Sequence, residues 1–333
     1  MSAAAPTGGR TLAMGENEAG SAGSDMVEAP FGKAMVQLGA VRPDVVGLTA
    51  DLGKYTDITP FRDAYPDRFF NVGMAEQNLV AVAAGLSRTG LVPFATTYGV
   101  FASRRAYDFI AIALAHSRLN VKIIAGMPGL TTGYGGTHQA TEDLALMRMI
   151  PGLVVIDPCD AVEIQAATLA IADYDGPVYM RLLRGTVPVS LPSDHRFEIG
   201  KAYLLRKGRD LGIISTGQMT TNALEAADRL DALGISVGIL HVPTIKPFDI
   251  GAVVEFASVF PRLVTAENHV IVGGLGSLVV EALHEASMQV PVSRIGLPDR
   301  FIPCGSVPTL QARYGITATA MVDSIASLVA GGP

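Results

Sequence analysis

From residue 45 onward, short β-branched or apolar runs alternate with longer Ala- and Leu-rich stretches. Runs at 45–48, 92–96, 122–125, 154–156 and 178–181 read as strands, and the stretches at 75–86, 102–116, 141–149 and 161–171 as helices between them. Strands separated by helices are the pattern of a parallel α/β sheet. After Arg184 the rhythm stops: Gly185, Pro188, Pro192 and Ser193 cluster in a loop-like stretch, which predicts a domain boundary near residue 190. It resumes with strands at 211–215, 236–240, 263–266 and 292–295 and helices at 223–233 and 275–285. No internal repeat interrupts either half. The pattern predicts an α/β protein of two domains in tandem, 26–190 and 191–333, behind a tail over 1–25.

Composition sharpens this picture. At 333 residues the chain is about twice a common domain, enough for two cores. Hydrophobic residues make up 49% and charged residues 17%, which suits extensive buried surface and argues against disorder over most of the length. That balance also raises the question of a membrane. No apolar run reaches the roughly 18 to 20 residues that span a bilayer; the run from Phe109 to Ala115 stops at His116 and Arg118. A soluble protein with a large apolar subunit interface is the expectation. The net charge is −6 with Lys and Arg scattered, so nucleic acid is not the expected partner. Two cysteines, Cys159 and Cys304, cannot build a disulfide framework and read as buried thiols in a reducing, cytoplasmic setting. Residues 1–25 are rich in Gly, Ala and Ser with a single basic residue, Arg10, and read as a disordered tail without a signal-peptide core.

Few residues stand out as candidates for chemistry. Asn71-Val-Gly-Met-Ala-Glu-Gln-Asn78 runs directly into an apolar stretch, which puts Glu76 at the start of a helix expected to be packed on all sides, where the dipole favours its charge. Taken alone, Glu76 reads first as an ordinary first-turn carboxylate that stabilises that helix. Tyr98 and Phe101 are three apart and can share a face against a flat heterocycle, or pack in a core. His138 follows a Gly-rich turn and can bridge loops or stabilise a developing alkoxide. Arg184 is either a solvated strand-end charge or an anion ligand, with Arg181 the weaker candidate. Gly273-Gly-Leu-Gly276 lacks the third glycine of a dinucleotide fingerprint and reads as a strand-to-helix turn.

The stretch Asp67-Arg-Phe-Phe-Asn-Val-Gly-Met-Ala-Glu-Gln-Asn78 closely resembles the pyrimidine-domain motif of transketolases, whose Glu contacts the aminopyrimidine of thiamine diphosphate. The likeness continues in order. Thr49-Ala-Asp-Leu52 resembles the segment whose Asp lies near the thiamine, and Ala95-Thr-Thr-Tyr-Gly-Val-Phe101 the stretch whose aromatics sandwich the pyrimidine. Residues 133–143, with Thr137-His138-Gln139, resemble the loop of a substrate-contacting His, and Val178-Tyr-Met-Arg-Leu-Leu-Arg184 the strand whose second Arg faces the donor's phosphate. Ile271-Val-Gly-Gly-Leu-Gly-Ser277 and Arg294-Ile-Gly-Leu-Pro-Asp-Arg-Phe301 resemble the C-terminal domain. The resemblance covers residues 26–330 and implies two tandem three-layer α/β domains, a pyrimidine-binding domain and then a transketolase C-terminal domain. It implies that Glu76 relays a proton through the cofactor, that Asp51, Tyr98 and Phe101 contact the cofactor, that His138 binds substrate and assists cleavage, and that Arg184 binds substrate phosphate.

Equally informative is what the sequence lacks. The family holds Mg²⁺ and the diphosphate through a Gly-Asp-Gly motif with an Asn roughly 25 to 30 residues on, and no Gly-Asp-Gly occurs here. The resemblance therefore implies a split enzyme, whose partner subunit carries the diphosphate-binding domain and its Mg²⁺, with two copies of each chain. Two departures bear on the donor. Gly133-Tyr-Gly-Gly136 is shorter than the Gly-Glu-Asp-Gly of many members and lacks both acids, and Met127-Pro128 stands where several have a His. Both fall where donor hydroxyls are recognised, which leaves the ordinary pentose-phosphate donor unsupported. The expected reaction is transfer of a two-carbon ketol unit from a phosphorylated ketose to an aldose. The alternatives are chemistry like that of deoxyxylulose phosphate synthase or a 2-oxoacid dehydrogenase beta subunit, and a non-catalytic regulatory subunit.

Overall fold

The structure is a computed structural model that describes residues 25–330, so the expected tail lies, Asp25 aside, outside the described residues. Fourteen strands are formed among the described residues: β1 (Met26–Glu28), β2 (Val45–Thr49), β3 (Phe69–Asn71), β4 (Val92–Tyr98), β5 (Lys122–Gly126), β6 (Val154–Ile156), β7 (Val178–Leu182), β8 (Thr186–Pro188), β9 (Tyr203–Arg206), β10 (Leu211–Ser215), β11 (Val237–His241), β12 (Thr244–Lys246), β13 (Leu263–Val270) and β14 (Val292–Leu297). They build a seven-stranded sheet of order β12-β6-β7-β5-β4-β2-β3, a five-stranded sheet of order β14-β13-β10-β11-β9, and the small ribbon β1-β8. Within the large sheets all pairs are parallel except β12 with β6 and β9 with β11.

Every residue of β2, β4, β5, β7, β10 and β11 is buried, because helices cover both faces of a parallel sheet. Successive side chains of β5 divide between the two faces. Ile123 packs with Leu79, Ala102 and Leu114 on one side, and Ile124 with Phe31, Phe61 and Ile164 on the other. Three layers result. In the second sheet Ile213 packs with Ala223, Ala226 and Met321, while Ile214 joins the apolar cluster that includes Leu144, Leu240, Val253 and Leu275. That cluster is continuous across the two halves. Strand β12, from the second half of the chain, completes the edge of the first sheet.

Two buried polar networks cross the same seam. The guanidinium of Arg181 donates to Asp143 Oδ2 (3.0 Å), Asp157 Oδ2 (3.1 Å) and the Asn268 carbonyl (3.3 Å), and Tyr179 Oη donates to Asp143 at 2.7 Å. Burial opposes the charge on Arg181, and the two carboxylates outweigh it and hold the guanidinium protonated. Glu163, on the helix Ala161–Asp173, pairs with His241 Nε2 (2.7 Å) and His195 Nε2 (3.3 Å) and accepts from the Cys159 amide (2.8 Å). Burial would raise this carboxyl; His241 and His195 bring it down to about 2.

Three expectations are corrected. The helix predicted over 102–116 starts at Gly99, breaks at Ala106, and continues as a π-helix over Ile110–His116; an Ala- and Ile-rich pattern does not distinguish the two ladders. The helix predicted over 223–233 starts earlier and runs Gln218–Asp231, because Gln218, Thr220 and Asn222 are buried polar residues that read as loop. Of the cysteines, Cys159 is buried and Cys304 is exposed. The expected turn at 273–276 does join β13 to the helix Leu275–Glu285, and its amides at Leu275 and Gly276 donate to the Glu267 carboxylate at 2.7 and 2.9 Å. Burial pushes that carboxyl up to about 7. No helix among the described residues is long and apolar enough to cross a membrane.

Candidate active site

The candidate residues lie on the segments that follow β2, β3, β4, β5 and β7, at the carboxyl ends of parallel strands where α/β sheets bind ligands. Two residues past β2, Asp51 adopts φ 59°, a conformation Asp tolerates better than most residues. Asn71, the last residue of β3, fixes it: Asn71 Nδ2 donates to Asp51 Oδ1 (2.9 Å) and the Asp51 amide donates to Asn71 Oδ1 (3.1 Å). Asn71 Oδ1 also accepts from the Gly73 amide at 3.0 Å, which shapes the turn into the next helix.

Glu76 is the first residue of that helix, Glu76–Ser87, and is 4% exposed. Leu79, Val80, Ala83 and Ala84 are buried with it, at the spacing of one helical face. The expectation of a helix packed on all sides is corrected here. Ala75, Gln77, Asn78 and Ala81 face outward, and Met74 just before the helix is 78% exposed. Alanine counts as apolar in a sequence pattern yet sits as readily on an outer face.

Strand β4 ends at Tyr98 and turns at Gly99 into the helix Gly99–Arg105. A side chain at Gly99 would meet Ala140 Cβ at 3.1 Å and the Tyr179 hydroxyl at 3.3 Å, so glycine permits the close approach that brings residue 140 against this turn. Tyr98 and Phe101 stack on each other, centroids 5.6 Å apart and planes at 26°. Burial pushes the Tyr98 phenol up to about 12. One turn beyond Phe101, Arg105 lays its guanidinium carbon 4.0 Å from the Phe101 centroid, and its Nη1 donates to Glu76 at 3.1 and 3.3 Å.

His138 completes the group from the loop after β5. Its ring meets Phe101 edge-on at 5.4 Å, Tyr98 at 6.4 Å and Tyr134 at 5.3 Å, and its Nδ1 lies 2.9 Å from the Thr137 hydroxyl. Burial first, and the charge of Arg105 second, push His138 below its usual value, which favours the neutral imidazole. Met127, at φ 57°, is buried in the cluster of Tyr98, Val100 and Ala140, so an apolar floor occupies that position. Leu52, next to Asp51, packs against the same cluster.

Arg184 lies two residues past β7, half-buried, with its guanidinium carbon 5.7 Å from the Tyr55 ring. Tyr55 meets Tyr98 edge-on at 6.4 Å, which links Arg184 to the aromatic wall. Glu76, Tyr98, Phe101 and His138 are thus neighbours, and Asp51 and Arg184 flank them through Leu52 and Tyr55. Arg105, Tyr55 and Tyr134 were not singled out from the sequence. For Arg105 a signal existed, since it stands four residues after Phe101 on one helix.

Residues 25–189 match the family profile "Transketolase, pyrimidine binding domain", and residues 200–321 match "Transketolase, C-terminal domain". An uncharacterised transketolase family protein of Sinorhizobium fredii is 55% identical over 89% of this chain and 87% of its own length. A 6-deoxy-6-sulfo-D-fructose transketolase subunit of a Clostridium strain is 42% identical over 84% of this chain and 86% of its own. Among solved structures, a split-gene transketolase described as an inactive beta4 tetramer superposes with a TM-score of 0.83 at 43% identity, covering 91% of this chain and 97% of that one. This chain belongs to the transketolase family and comprises its pyrimidine-binding and C-terminal domains.

Proposed function

We propose that this chain is the pyrimidine-facing subunit of a split, thiamine-diphosphate-dependent transketolase that moves a two-carbon ketol unit from a phosphorylated ketose to an aldose. The observation that carries this reading is the convergence of a buried carboxylate, an aromatic face and an imidazole, from Glu76, Phe101 and His138. A flat, nitrogen-bearing group already uses that place: the Arg105 guanidinium stacks on Phe101 while hydrogen-bonding Glu76. An aminopyrimidine asks for the same two interactions, an aromatic face and a carboxylate beside a ring nitrogen. The residues fit the cofactor's pyrimidine end.

When bound, thiamine diphosphate supplies the carbon nucleophile and electron sink for breaking the bond beside a ketone. Glu76 holds and returns a proton at its carboxyl oxygen. Phe101 and Tyr98 fix the plane of the ring, and Asp51 borders it. His138, neutral at pH 7, donates a hydrogen bond to a donor oxygen as negative charge develops there. Arg184 anchors the far, anionic end of the ketose. With no Gly-Asp-Gly in the chain, the Mg²⁺ and diphosphate ligands come from a partner subunit, in keeping with the split-gene relative. The sulfonated sugar named for the Clostridium relative ends in an anion that an arginine binds as it would a phosphate.

The chain mixed with its Gly-Asp-Gly-bearing partner is expected to transfer the ketol unit from a ketose phosphate and to leave pyruvate untouched. Decarboxylation of pyruvate without ketose cleavage would contradict this. Arg184→Ala is expected to cut kcat/KM for a phosphorylated donor about 10- to 100-fold, the loss of roughly 1.5–3 kcal/mol of charge-assisted binding, and to spare the unphosphorylated sugar. Equal losses on both sugars would remove Arg184 from the anion site.

A further inference from the structure

Among the described residues, His138 has one polar side-chain partner, Thr137, its own neighbour. Three rings, Tyr98, Phe101 and Tyr134, pack against its sides, and the backbone of the loop that carries it sets how far it reaches between them. There the His138 and Gln139 amides both donate to the Gly135 carbonyl, at 2.9 and 3.2 Å, and Gly135 has φ 77°. The turn that presents the imidazole thus pivots on Gly135, and a segment of the C-terminal domain lies directly against it. The Gly305 amide donates to the Gly133 carbonyl at 3.0 Å. A Cβ placed on Gly135 would meet Cys304 Sγ at 2.9 Å, and one placed on Gly136 would meet the Phe301 ring at 2.9 Å. A methyl group on either glycine would force the turn or residues 301–305 to shift. Upstream, the same domain grips the loop at Leu130, whose amide donates to Asn268 Oδ1 (2.8 Å) and whose carbonyl accepts from Gln311 Nε2 (2.9 Å).

We propose that residues 301–305 of the C-terminal domain are a positioning element for His138, with Phe301 as its principal contact. The proposal rests on the role given above to His138. A catalytic imidazole on an irregular loop must be held to within a fraction of an ångström, since a shift of about 1 Å can cost about 100-fold in rate. Here the pyrimidine-binding domain supplies the imidazole, and the C-terminal domain supplies the surface that fixes its height. Phe301 is 79% exposed, so truncating it leaves the fold intact and removes only the ring that covers Gly136.

The test is a double-mutant cycle on the assembled enzyme, with partner and cofactor saturating, joined to the His138 ring resonance in the isolated chain. Phe301→Ala is expected to shift that resonance and to lower kcat about 10-fold or more while KM stays within about 2-fold. Phe301→Tyr, which keeps the ring, is expected to restore both. In a His138→Ala background the Phe301→Ala change is expected to alter kcat by less than about 2-fold, because the two residues then act as one unit. An unshifted His138 resonance, or a full loss from Phe301→Ala in the His138→Ala background, would overturn the positioning role. A His138→Ala enzyme with wild-type kcat would instead overturn the reading of His138 itself.

Discussion

Glu76→Gln is expected to lower kcat of the assembled enzyme about 10²- to 10⁴-fold, the range a positioned general acid–base supplies, while the chain folds and pairs as before. Gln is close to Glu in volume and can still hydrogen-bond a ring nitrogen, but its amide cannot release and take back a proton. The cost to the fold is small because the partner of Glu76 in this structure is Arg105, whose side chain is 55% exposed and is readily solvated without its carboxylate. Pairs that open to solvent contribute at most about 1 kcal/mol. Stopped-flow turnover alongside calorimetric confirmation that the variant binds cofactor separates chemistry from occupancy. Turnover near the wild-type rate by a cofactor-loaded variant would remove Glu76 from catalysis.

Arg181→Met carries the largest expected effect on stability, a loss of about 3–5 kcal/mol at pH 7, the usual cost of stripping one partner from a buried ion pair. Arg181, Asp143 and Asp157 are all essentially sealed from water, so neither carboxylate can recruit solvent in place of the guanidinium. The pH dependence follows. Burial alone would raise Asp143, and Arg181 reverses this and depresses it below its usual value. In the native protein Asp143 therefore contributes stability above the unfolded carboxyl value, which is lost as pH falls through its lower folded value. Without Arg181 the folded Asp143 is raised instead, and its stabilising contribution is present at low pH and lost as pH rises. Urea titrations at pH 7 and pH 5 should accordingly show a smaller deficit at pH 5. A deficit under about 1 kcal/mol at both pH values would show that the network does not hold the two halves of the chain together.

The sequence pattern recovers the sheets where both faces of a strand are covered. Strands such as β5 and β10 are apolar at almost every position because helices leave them no solvent face. Strands β12, β8 and β1 are invisible to that logic, being three-residue edge pieces whose pairing depends on where the rest of the chain places them. Glu76, Tyr98, Phe101 and His138, with Asp51 and Arg184 at the edges, were candidates because a collinear family resemblance carried them, and the structure brings them together. Tyr55 was not, since its partner Tyr98 lies 43 positions away and no local period links them; for Arg105 the four-residue spacing from Phe101 was a local signal, but its contact with Glu76, 29 positions away, was not readable from any period. The Glu163–His241 pair spans 78 positions and escaped for the same reason. Cys304 was misjudged because free cysteines are buried on average, whereas this one lies on an exposed turn against a glycine.

The measurement that bears most directly on the account is titration calorimetry of thiamine diphosphate with Mg²⁺ into the isolated chain, and then into the chain mixed with its Gly-Asp-Gly-bearing partner. The diphosphate carries most of the cofactor's charge, and a hard cation with oxygen ligands is needed to hold it. In the proposed reading Glu76 and the Phe101–Tyr98 face would meet only the pyrimidine end, which encloses too little of the ligand for tight binding. The isolated chain is expected to give weak heats that Mg²⁺ does not change, and the mixture tight, Mg²⁺-dependent binding together with ketol transfer. Tight, metal-dependent binding by the isolated chain would contradict the split-enzyme account.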